Sequence, residues 1–498
     1  MAAEEKPVQH AFRQDVQDFE STPRTAEFSY GAPKAARVEL AAQAEREPHG
    51  PRPVAMLVCH GMGQQVRFET LGQIGASILT QAQSEGCTIY PNGVELSYQD
   101  ESFLGHAKLR WTDPKGGAHE VHLYEAYWAP VTEGKVTYAD TVKFLLQAAW
   151  RGLSCSRFFR PGTFERWMFD DMRKMTISAG TKLALIVVAA FVLLEVGTIA
   201  FVTLRVAAGV KEVSAITAWP AIPPLPHVFT LCLALKWIWC FLAFLGNNVL
   251  QLLKPFVPQH SALHHWPVTR HWWKAALSTL IWLALVAQAF FVRYFLIEYA
   301  GDVAAYISPF KDSKFDAIRT EIQTIGLRVA KAIYGFNNPG IPPVYERIVI
   351  VGHSLGSVLA YDTLNAVINL DSASAAPGSQ EVVRRTTHLV TFGSPLDKTA
   401  FLFRTQSNHV ADPLREQMAA GFQPLIRSYP DFRANLKWIN LWSKMDIISG
   451  ELNYYDYPAH HPHRIDNRQD PAAHTPLKGH IQYWNGELLA RTLYDAVC

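Results

Sequence analysis

The sequence predicts an α/β fold, in which a mostly parallel sheet carries helices on both faces and is interrupted by a helical membrane insertion. Two observations carry this prediction. Runs of branched aliphatic residues end in glycine-rich turns that lead into helical patterns, as at Val54–Cys59 and Ile348–Val351, which is typical of parallel strands covered on both faces. Between them, residues 179–300 contain three long apolar runs, which are typical of helices that cross a bilayer.

Length and charge exclude some classes of protein. The chain has 498 residues and a formal net charge of +2, so we expect one large domain with an insertion, or two domains. The nearly neutral charge provides no large basic face, which argues against a nucleic-acid partner. The six cysteines form no CxxC pair and no disulfide-type spacing, so we expect reduced thiols and a cytosolic compartment for the soluble part.

These patterns divide the chain into four parts. Residues 1–52 form a polar N-terminal arm without the apolar segment of a cleaved secretory signal. Residues 53–178 and 301–498 are expected to form the two parts of the α/β domain. Residues 179–300 form the predicted membrane insertion.

The stretch IVIVGHSLGSVLAY, which begins at Ile348, turns abruptly from a strand pattern into a helix pattern through Gly-x-Ser-x-Gly. In α/β-hydrolases this turn is the nucleophile elbow, where flanking glycines leave room for a strained backbone that presents the serine hydroxyl above the sheet. The motif alone occurs often by chance, but here it lies between a predicted strand and a predicted helix, as the mechanism requires. Ser354 is therefore the predicted nucleophile, and an α/β-hydrolase fold is expected.

A second glycine-rich turn, His60-Gly-Met-Gly, follows the strand Val54–Cys59. In hydrolases of this fold such a turn lends one backbone N–H to the oxyanion hole, and the residue after the nucleophile lends the other. The predicted donors are Met62 and Leu355. The alternatives are a plain strand-to-helix turn or a phosphate cradle, although the Gly-Lys-Ser/Thr of a P-loop is absent.

An orienting acid is predicted at the end of the next strands. The stretch Trp438–Asp446 reads as a strand that ends in an acid, and the carboxyl ends of strands are where an open α/β sheet places its site. Asp446 is the leading acid and Asp456 is the second choice, while a capping or turn aspartate is the alternative interpretation of Asp446.

The chain has 19 histidines, so position in the chain selects the candidate for the general base. Chain order Ser, Asp, His requires a histidine after Asp446. His480 lies just before the last predicted helix, Gly486–Val497, and is the first choice, with His474 second. The cluster of His460, His461 and His463 lacks a completing carboxylate spacing, so we expect no metal, and the chemistry needs no cofactor.

These motifs resemble the lipase and phospholipase branch of the α/β-hydrolases, and most closely the DDHD-type intracellular phospholipase A1 family. The segments that carry the resemblance are His60–Gln64, Gly352–Leu364, Phe392–Leu396, Asn440–Asp446, Arg464–Asp466 and Gly479–Trp484. It implies Ser354, Asp446 and His480 as the catalytic triad, and hydrolysis of an acyl ester in a lipid. Phe68–Leu71 and Tyr124–Pro130 are also similar to bacterial membrane-associated hydrolases of unassigned function.

The three apolar runs are Leu183–Leu204, Val228–Leu253 and Ala275–Val292. Each is long enough to cross a bilayer. The alternative is that the runs are buried helices of a large soluble protein, but then all three helices would have to be buried on every side. Because the flanking strands are expected to share one sheet, both ends lie on one side of the membrane and the number of crossings is even. We expect the first two runs to form a hairpin and the third to be re-entrant, interfacial or packed against them.

Charge bias predicts the orientation. The loop after the first run has only the cations Arg205 and Lys211, whereas the segment before it has Arg151, Arg157, Arg160, Arg166, Arg173, Lys174 and Lys182. Cations accumulate on the cytoplasmic side. We therefore expect an integral membrane protein with its catalytic part facing the cytoplasm, which in a bacterium would lie in the inner or cell membrane.

The sequence thus predicts a membrane-anchored serine hydrolase that cleaves acyl esters of lipids through an acyl-enzyme intermediate. Its expected partners are a lipid or acyl-ester substrate and the bilayer, and a homo-oligomer is compatible with the sequence. The alternatives are a thioesterase, a small-ester esterase or an acyltransferase on the same fold, or an inactive membrane scaffold.

Overall fold

The computed structural model describes most of residues 52–147 and 304–498. The described residues are 52–63, 65–99, 102–137, 140–141, 143–147, 304–306, 313–337, 344–374, 378, 380–404, 418, 421–428, 432–446, 448–453, 455, 464–475 and 478–498, with the isolated positions 186, 190, 193 and 197. Apart from those four positions, the three apolar runs lie outside the described residues, as do the N-terminal arm, Asp456 and the histidine cluster 460–463.

A membrane-crossing helix is not found in the part of the chain that the structure describes, because none of its helices is both long and apolar enough. The predicted hairpin and third run fall on the residues outside that part. The membrane insertion therefore stays a prediction.

One mixed sheet organises the described residues. Its nine strands are β1 Val54–Cys59, β2 Thr88–Ile89, β3 Gly93–Gln99, β4 Ser102–Thr112, β5 Ala118–Ala126, β6 Arg347–His353, β7 Thr386–Phe392, β8 Lys437–Trp442 and β9 Asp466–Gln469. Their order is β2-β4-β5-β1-β6-β7-β8-β9, and β3 pairs with β4. The pairs from β5 to β9 are parallel, whereas β2, β3 and β4 form an antiparallel edge.

The centre of the sheet joins strands from before and after the predicted insertion. β1 pairs in parallel with β5 on one side and with β6 on the other, and Cys59 is in register with Gly352. Every residue of β1 is buried, as its uninterrupted apolar sequence predicts for a strand covered on both faces. The prediction that these two strands share one sheet is confirmed.

Helices cover both faces of the sheet. In chain order they include α1 Glu69–Ser84, α2 Ala129–Thr132, α3 Ser313–Tyr334, α4 Gly356–Ala373, α5 Val382–Arg385, α6 Leu396–Arg404, α7 Pro424–Arg427, α8 Gly479–Gln482 and α9 Glu487–Val497. Since successive strand residues point to opposite faces, Leu57 joins a core with α3 and α4, and Met56 joins a core with α1 and α9. The α/β class with a mostly parallel sheet is therefore confirmed.

One strand is shorter than predicted. The strand expected over Trp438–Asp446 ends at Trp442, and the chain then turns, with the Asp446 N–H donating to the Ser443 carbonyl at 3.3 Å. The Ser443 hydroxyl accepts the Met445 N–H at 3.1 Å, a local bond that competes with sheet pairing. The turn carries Asp446 beyond the carboxyl edge of the sheet.

Candidate active site

Ser354 lies in the turn between β6 and α4. Its φ angle is +53°, a left-handed conformation that non-glycine residues rarely adopt and that costs free energy unless the surroundings fix it. Here the Ser354 N–H donates to the Phe392 carbonyl at 3.0 Å, which ties the turn to the end of the neighbouring strand. Strain of this kind is expected at a functional turn.

The two glycines of the motif are required by close backbone contacts. A Cβ on Gly352 would lie 2.5 Å from the Cα of Ser357, and a Cβ on Gly356 would overlap the carbonyl oxygens of Cys59 and His60. The start of α4 therefore packs directly on the end of β1. This contact holds the serine turn against the loop that follows β1.

Replacement of Gly356 by alanine is expected to destabilise the protein by about 3 kcal/mol or more, because two backbone carbonyls must move to admit the methyl group. The matched control is Gly72→Ala in α1, where an added Cβ meets no atom within 4 Å and stability should rise by about 0.5–1 kcal/mol. Denaturant titration of the detergent-solubilised full chain measures both changes. Equal stability of the Gly356→Ala variant and the wild type would contradict the assigned contact.

The three residues predicted to form a triad lie in one hydrogen-bonded chain. The Ser354 Oγ lies 2.8 Å from His480 Nε2, and His480 Nδ1 lies 2.9 Å from Asp446 Oδ2. Because a carboxylate only accepts, Nδ1 donates to Asp446 and the Nε2 lone pair accepts the serine proton. The second-choice base, His474, is exposed, and its Nδ1 donates to the Ala472 carbonyl instead.

Asp446 is buried and multiply hydrogen-bonded. Its Oδ1 accepts the Ile448 N–H at 2.8 Å, and its Oδ2 accepts the Tyr483 hydroxyl at 3.1 Å in addition to His480. Burial acts to raise the pKa of Asp446, but the hydrogen bond and charge of His480, together with the other donors, lower that pKa to about 2. The acid is thus ionised across the neutral range, as an orienting carboxylate must be.

The depressed pKa of Asp446 predicts an acid-dependent loss of stability. Its pKa of about 2 lies below the ordinary value of 3.8, so the stabilisation is complete above about pH 4 and is lost as the pH falls towards 2, by on the order of 2 kcal/mol. The difference in unfolding free energy between wild type and Asp446→Asn should shrink by this amount between pH 5 and pH 2. Denaturant titrations at several pH values test it, and two parallel stability curves would contradict the assigned interactions.

Two side chains that sequence reasoning missed support the acid. Tyr483 is buried and shares its hydroxyl with Ser449 at 2.9 Å as well as with Asp446, and the ammonium of Lys398 donates to the carbonyls of Ile448 and Ser449, each at 2.7 Å. Burial lowers the pKa of Lys398, opposed by the nearby Asp446 charge. The sequence does indicate that Tyr483 lies near the site, because it follows His480 by three residues, about one helical turn. Nothing in the local sequence indicates the same for Lys398.

A second histidine lies behind the first. The ring of His353, the variable residue of the elbow motif, stacks on the rings of Phe392 at 4.8 Å and His480 at 5.3 Å between centroids. Burial, and then the neighbouring His480, lower the pKa of His353 to about 3. His353 is therefore a neutral packing surface for the His480 ring.

The loop after β1 lies against the serine. A Cβ on Gly61 would come within 3.0 Å of the Ser354 Cβ, and both Met62 and Leu355 are buried. Within the described residues, neither the Met62 nor the Leu355 N–H donates a hydrogen bond to a protein acceptor. The loop that contains Met62 thus lies against Ser354, and the N–H groups of both predicted oxyanion donors are unengaged by described groups.

His60 fixes this loop, a role that the motif alone did not reveal. Its Nδ1 donates to the Gly61 carbonyl at 2.9 Å, and its Nε2 accepts the Trp128 N–H at 3.0 Å. The Trp128 indole donates back to the His60 carbonyl at 3.1 Å, and the two rings stack at 4.9 Å. Burial lowers the pKa of His60 to about 4, so a neutral imidazole holds the loop. In the sequence, the residue that signals this contact is Trp128, in the segment Tyr124–Pro130.

Neither a metal site nor a known relative adds a residue to this site. Among the described residues, no group of three or more His, Cys, Asp or Glu is arranged to hold a metal ion. Comparisons with protein-family models, curated proteins and solved structures give no match for this chain.

Proposed function

We propose that this chain is a serine hydrolase of the α/β-hydrolase type that cleaves acyl esters of lipids. The observation that carries the proposal is the chain of hydrogen bonds from Ser354 through His480 to the ionised Asp446. A serine hydroxyl needs a base to take its proton and donors to hold the oxyanion. This site supplies both, at the carboxyl edge of a mostly parallel sheet, where such folds place their chemistry.

The geometry supports a two-step acyl transfer. The Ser354 Oγ attacks the acyl carbonyl as its proton passes to His480 Nε2, and the N–H groups of Met62 and Leu355 hold the oxyanion. The tetrahedral intermediate collapses when His480 returns the proton to the leaving alcohol oxygen, and the acyl-enzyme remains. Water then attacks the acyl carbonyl as His480 takes its proton; the bond to Ser354 Oγ breaks as His480 gives that proton to the serine oxygen, and the carboxylic acid leaves. Asp446 holds the imidazole tautomer and stabilises the imidazolium throughout.

Two features support a lipid as the substrate. The apolar runs between residues 183 and 292 predict that the chain is held at a bilayer, which shortens the distance that an acyl chain must travel to reach Ser354. The motif resemblance to phospholipase A1 proteins points to the same substrate class. A thioester would follow the same chemistry, with a thiolate as the leaving group.

The test uses the detergent-solubilised full chain and a fluorophosphonate probe, which reacts covalently with an activated serine. We expect the wild type to label and Ser354→Ala not to label. Release of fatty acid is measured from phospholipid and glyceride mixed micelles, with an acyl-CoA thioester alongside. Folded wild-type protein that neither labels nor releases fatty acid would overturn the proposal and favour a scaffold, and labelling with thioester cleavage alone would reassign the substrate.

A further inference from the structure

Four large apolar side chains are exposed on two loops and on the short helix α8, which carry residues of the candidate active site. Their exposed fractions are 69% for Val66, 50% for Phe68, 44% for Met445 and 62% for Ile481. Side chains of this size are usually buried, and a group of them at one place marks an interaction surface. We call these four residues, with the cations Arg67, Lys444 and Lys478, the site rim.

The apolar residues of the site rim lie on the segments that carry the residues of the site. Met445 precedes Asp446, and Ile481 follows His480; the two loops touch, since a Cβ on Gly479 would lie 3.1 Å from the Met445 carbonyl carbon. Val66 and Phe68 follow the glycine loop that lies against Ser354. Phe68 immediately precedes α1 and Ile481 lies just ahead of α9, and these two helices pack together on one face of the sheet. The exposed residues therefore lie on the segments that carry the site at the carboxyl edge of the sheet.

The site rim also carries positive charge. Arg67, Lys444 and Lys478 are exposed, and none of them forms a salt bridge with a carboxylate among the described residues. The Arg67 guanidinium lies over the Phe68 ring, 5.0 Å from its centroid. The exposed acid beside them is Glu69, in the first turn of α1. Apolar residues interleaved with cations match the chemistry of an anionic lipid surface.

The exposure of Phe68 is built into the backbone. Its φ angle is +70°, which is unfavourable for a bulky side chain. The Phe68 N–H donates to the Glu125 Oε2 at 2.8 Å, and Glu125 is buried with its pKa raised by that burial. A buried acceptor thus maintains an unfavourable conformation that presents an aromatic ring to the exterior.

We propose that the site rim docks onto the surface of an anionic lipid aggregate, with Val66, Phe68, Met445 and Ile481 entering the acyl region and the three cations contacting phosphate groups. This inference rests on the proposed function and names how its substrate is presented. A bilayer surface fits better than a small ligand, because these side chains are exposed to solvent instead of lining a cavity. A folded protein partner is the competing occupant.

The first experiment compares one acyl ester in two forms, as a water-soluble monomer and in mixed micelles with an anionic phospholipid. The rim variant replaces Val66, Phe68, Met445 and Ile481 with serine in the full chain. We expect its rate on mixed micelles to fall by about tenfold or more, since apolar area no longer enters the aggregate, while its rate on the monomer stays within about twofold of wild type. The matched control is Val94→Ser with Leu96→Ser, two residues that are 78% and 59% exposed on β3 at the far edge of the sheet.

The outcomes separate the two proposals. Equal losses on both forms of the ester, or wild-type rates on mixed micelles, overturn the docking surface; the second result favours a protein partner. Replacing Arg67, Lys444 and Lys478 with glutamine should abolish the stimulation by anionic lipid and leave the rate on neutral micelles unchanged, and retained stimulation contradicts the role of the cations.

A readout without catalysis keeps the inference testable if the wild type hydrolyses no ester. Hydrogen–deuterium exchange of the wild type is measured in neutral micelles before and after addition of anionic phospholipid. We expect slower exchange at residues 65–69 and 478–482 and no change at residues 93–97. Unchanged exchange at the site rim overturns the docking surface, whatever the result for hydrolysis.

Discussion

Replacement of Ser354 by alanine is expected to lower kcat for acyl-ester hydrolysis by about 10⁴- to 10⁶-fold. In the proposed mechanism the hydroxyl forms the acyl-enzyme, and it is the group that His480 Nε2 contacts. The kcat of His480→Ala should fall by nearly as much. The kcat of the variant that carries both substitutions should fall little further, because the two residues act as one unit. Single-turnover and steady-state rates on a soluble ester measure these losses.

The control for His480 is His474→Ala. His474 is exposed, and its ring donates to the Ala472 carbonyl two residues away, so its loss should change kcat by less than about twofold. A large loss in the His474 variant would show that the base has been assigned wrongly, and a Ser354→Ala variant that keeps a tenth of the wild-type rate would show the same of the nucleophile.

Replacement of Asp446 by asparagine is expected to lower kcat by about 10³- to 10⁴-fold with little change in KM. The amide offers an N–H to His480 Nδ1, which favours the tautomer that carries its proton on Nε2 and so cannot accept the serine proton. The imidazolium also loses its counter-charge. The measurement is the rate of acyl-enzyme formation, followed by the burst of released alcohol.

Asp371→Asn is the matched control for loss of a buried carboxylate. Asp371 is buried at the end of α4 and accepts the N–H groups of Gln380 and Val382, each at 3.0 Å. The variant should lose stability and retain kcat, since these contacts lie away from Ser354. A similar fall in kcat for both variants would indicate that the Asp446 effect is structural.

Local pattern and chain order were sufficient to select the three hydrogen-bonded site residues. The elbow motif places Ser354 between a strand and a helix by sequence neighbours alone, and the position of His480 before the last helix follows from chain order. Asp446 was predicted at the carboxyl edge of the sheet, and it lies beyond that edge, but it was predicted as part of a strand. The strand ends at Trp442 instead, because side-chain hydrogen bonds end it there, and hydrophobic periodicity does not reveal such bonds.

Support from distant segments could not be predicted. Lys398 meets the acid loop across about 50 residues of sequence, and His60 meets Trp128 across 68. Neither contact leaves a periodic signal, since each is decided by how the sheet brings its loops together. The antiparallel edge of β2, β3 and β4 was not anticipated either, whereas the membrane crossings remain a prediction from hydropathy.

The pairing of β1 with β6 has a consequence for biosynthesis. Val54 lies beside Arg347 in the sheet, so the centre of the domain closes only after the ribosome has passed the whole intervening segment. The entropic cost of closing so long a loop rises slowly with its length, by about 0.6 kcal/mol per doubling, so a long insertion there is tolerated. Ser354 and its hydrogen-bond partners therefore come together only after the apolar segments have been made, at the membrane to which we expect the chain to be delivered.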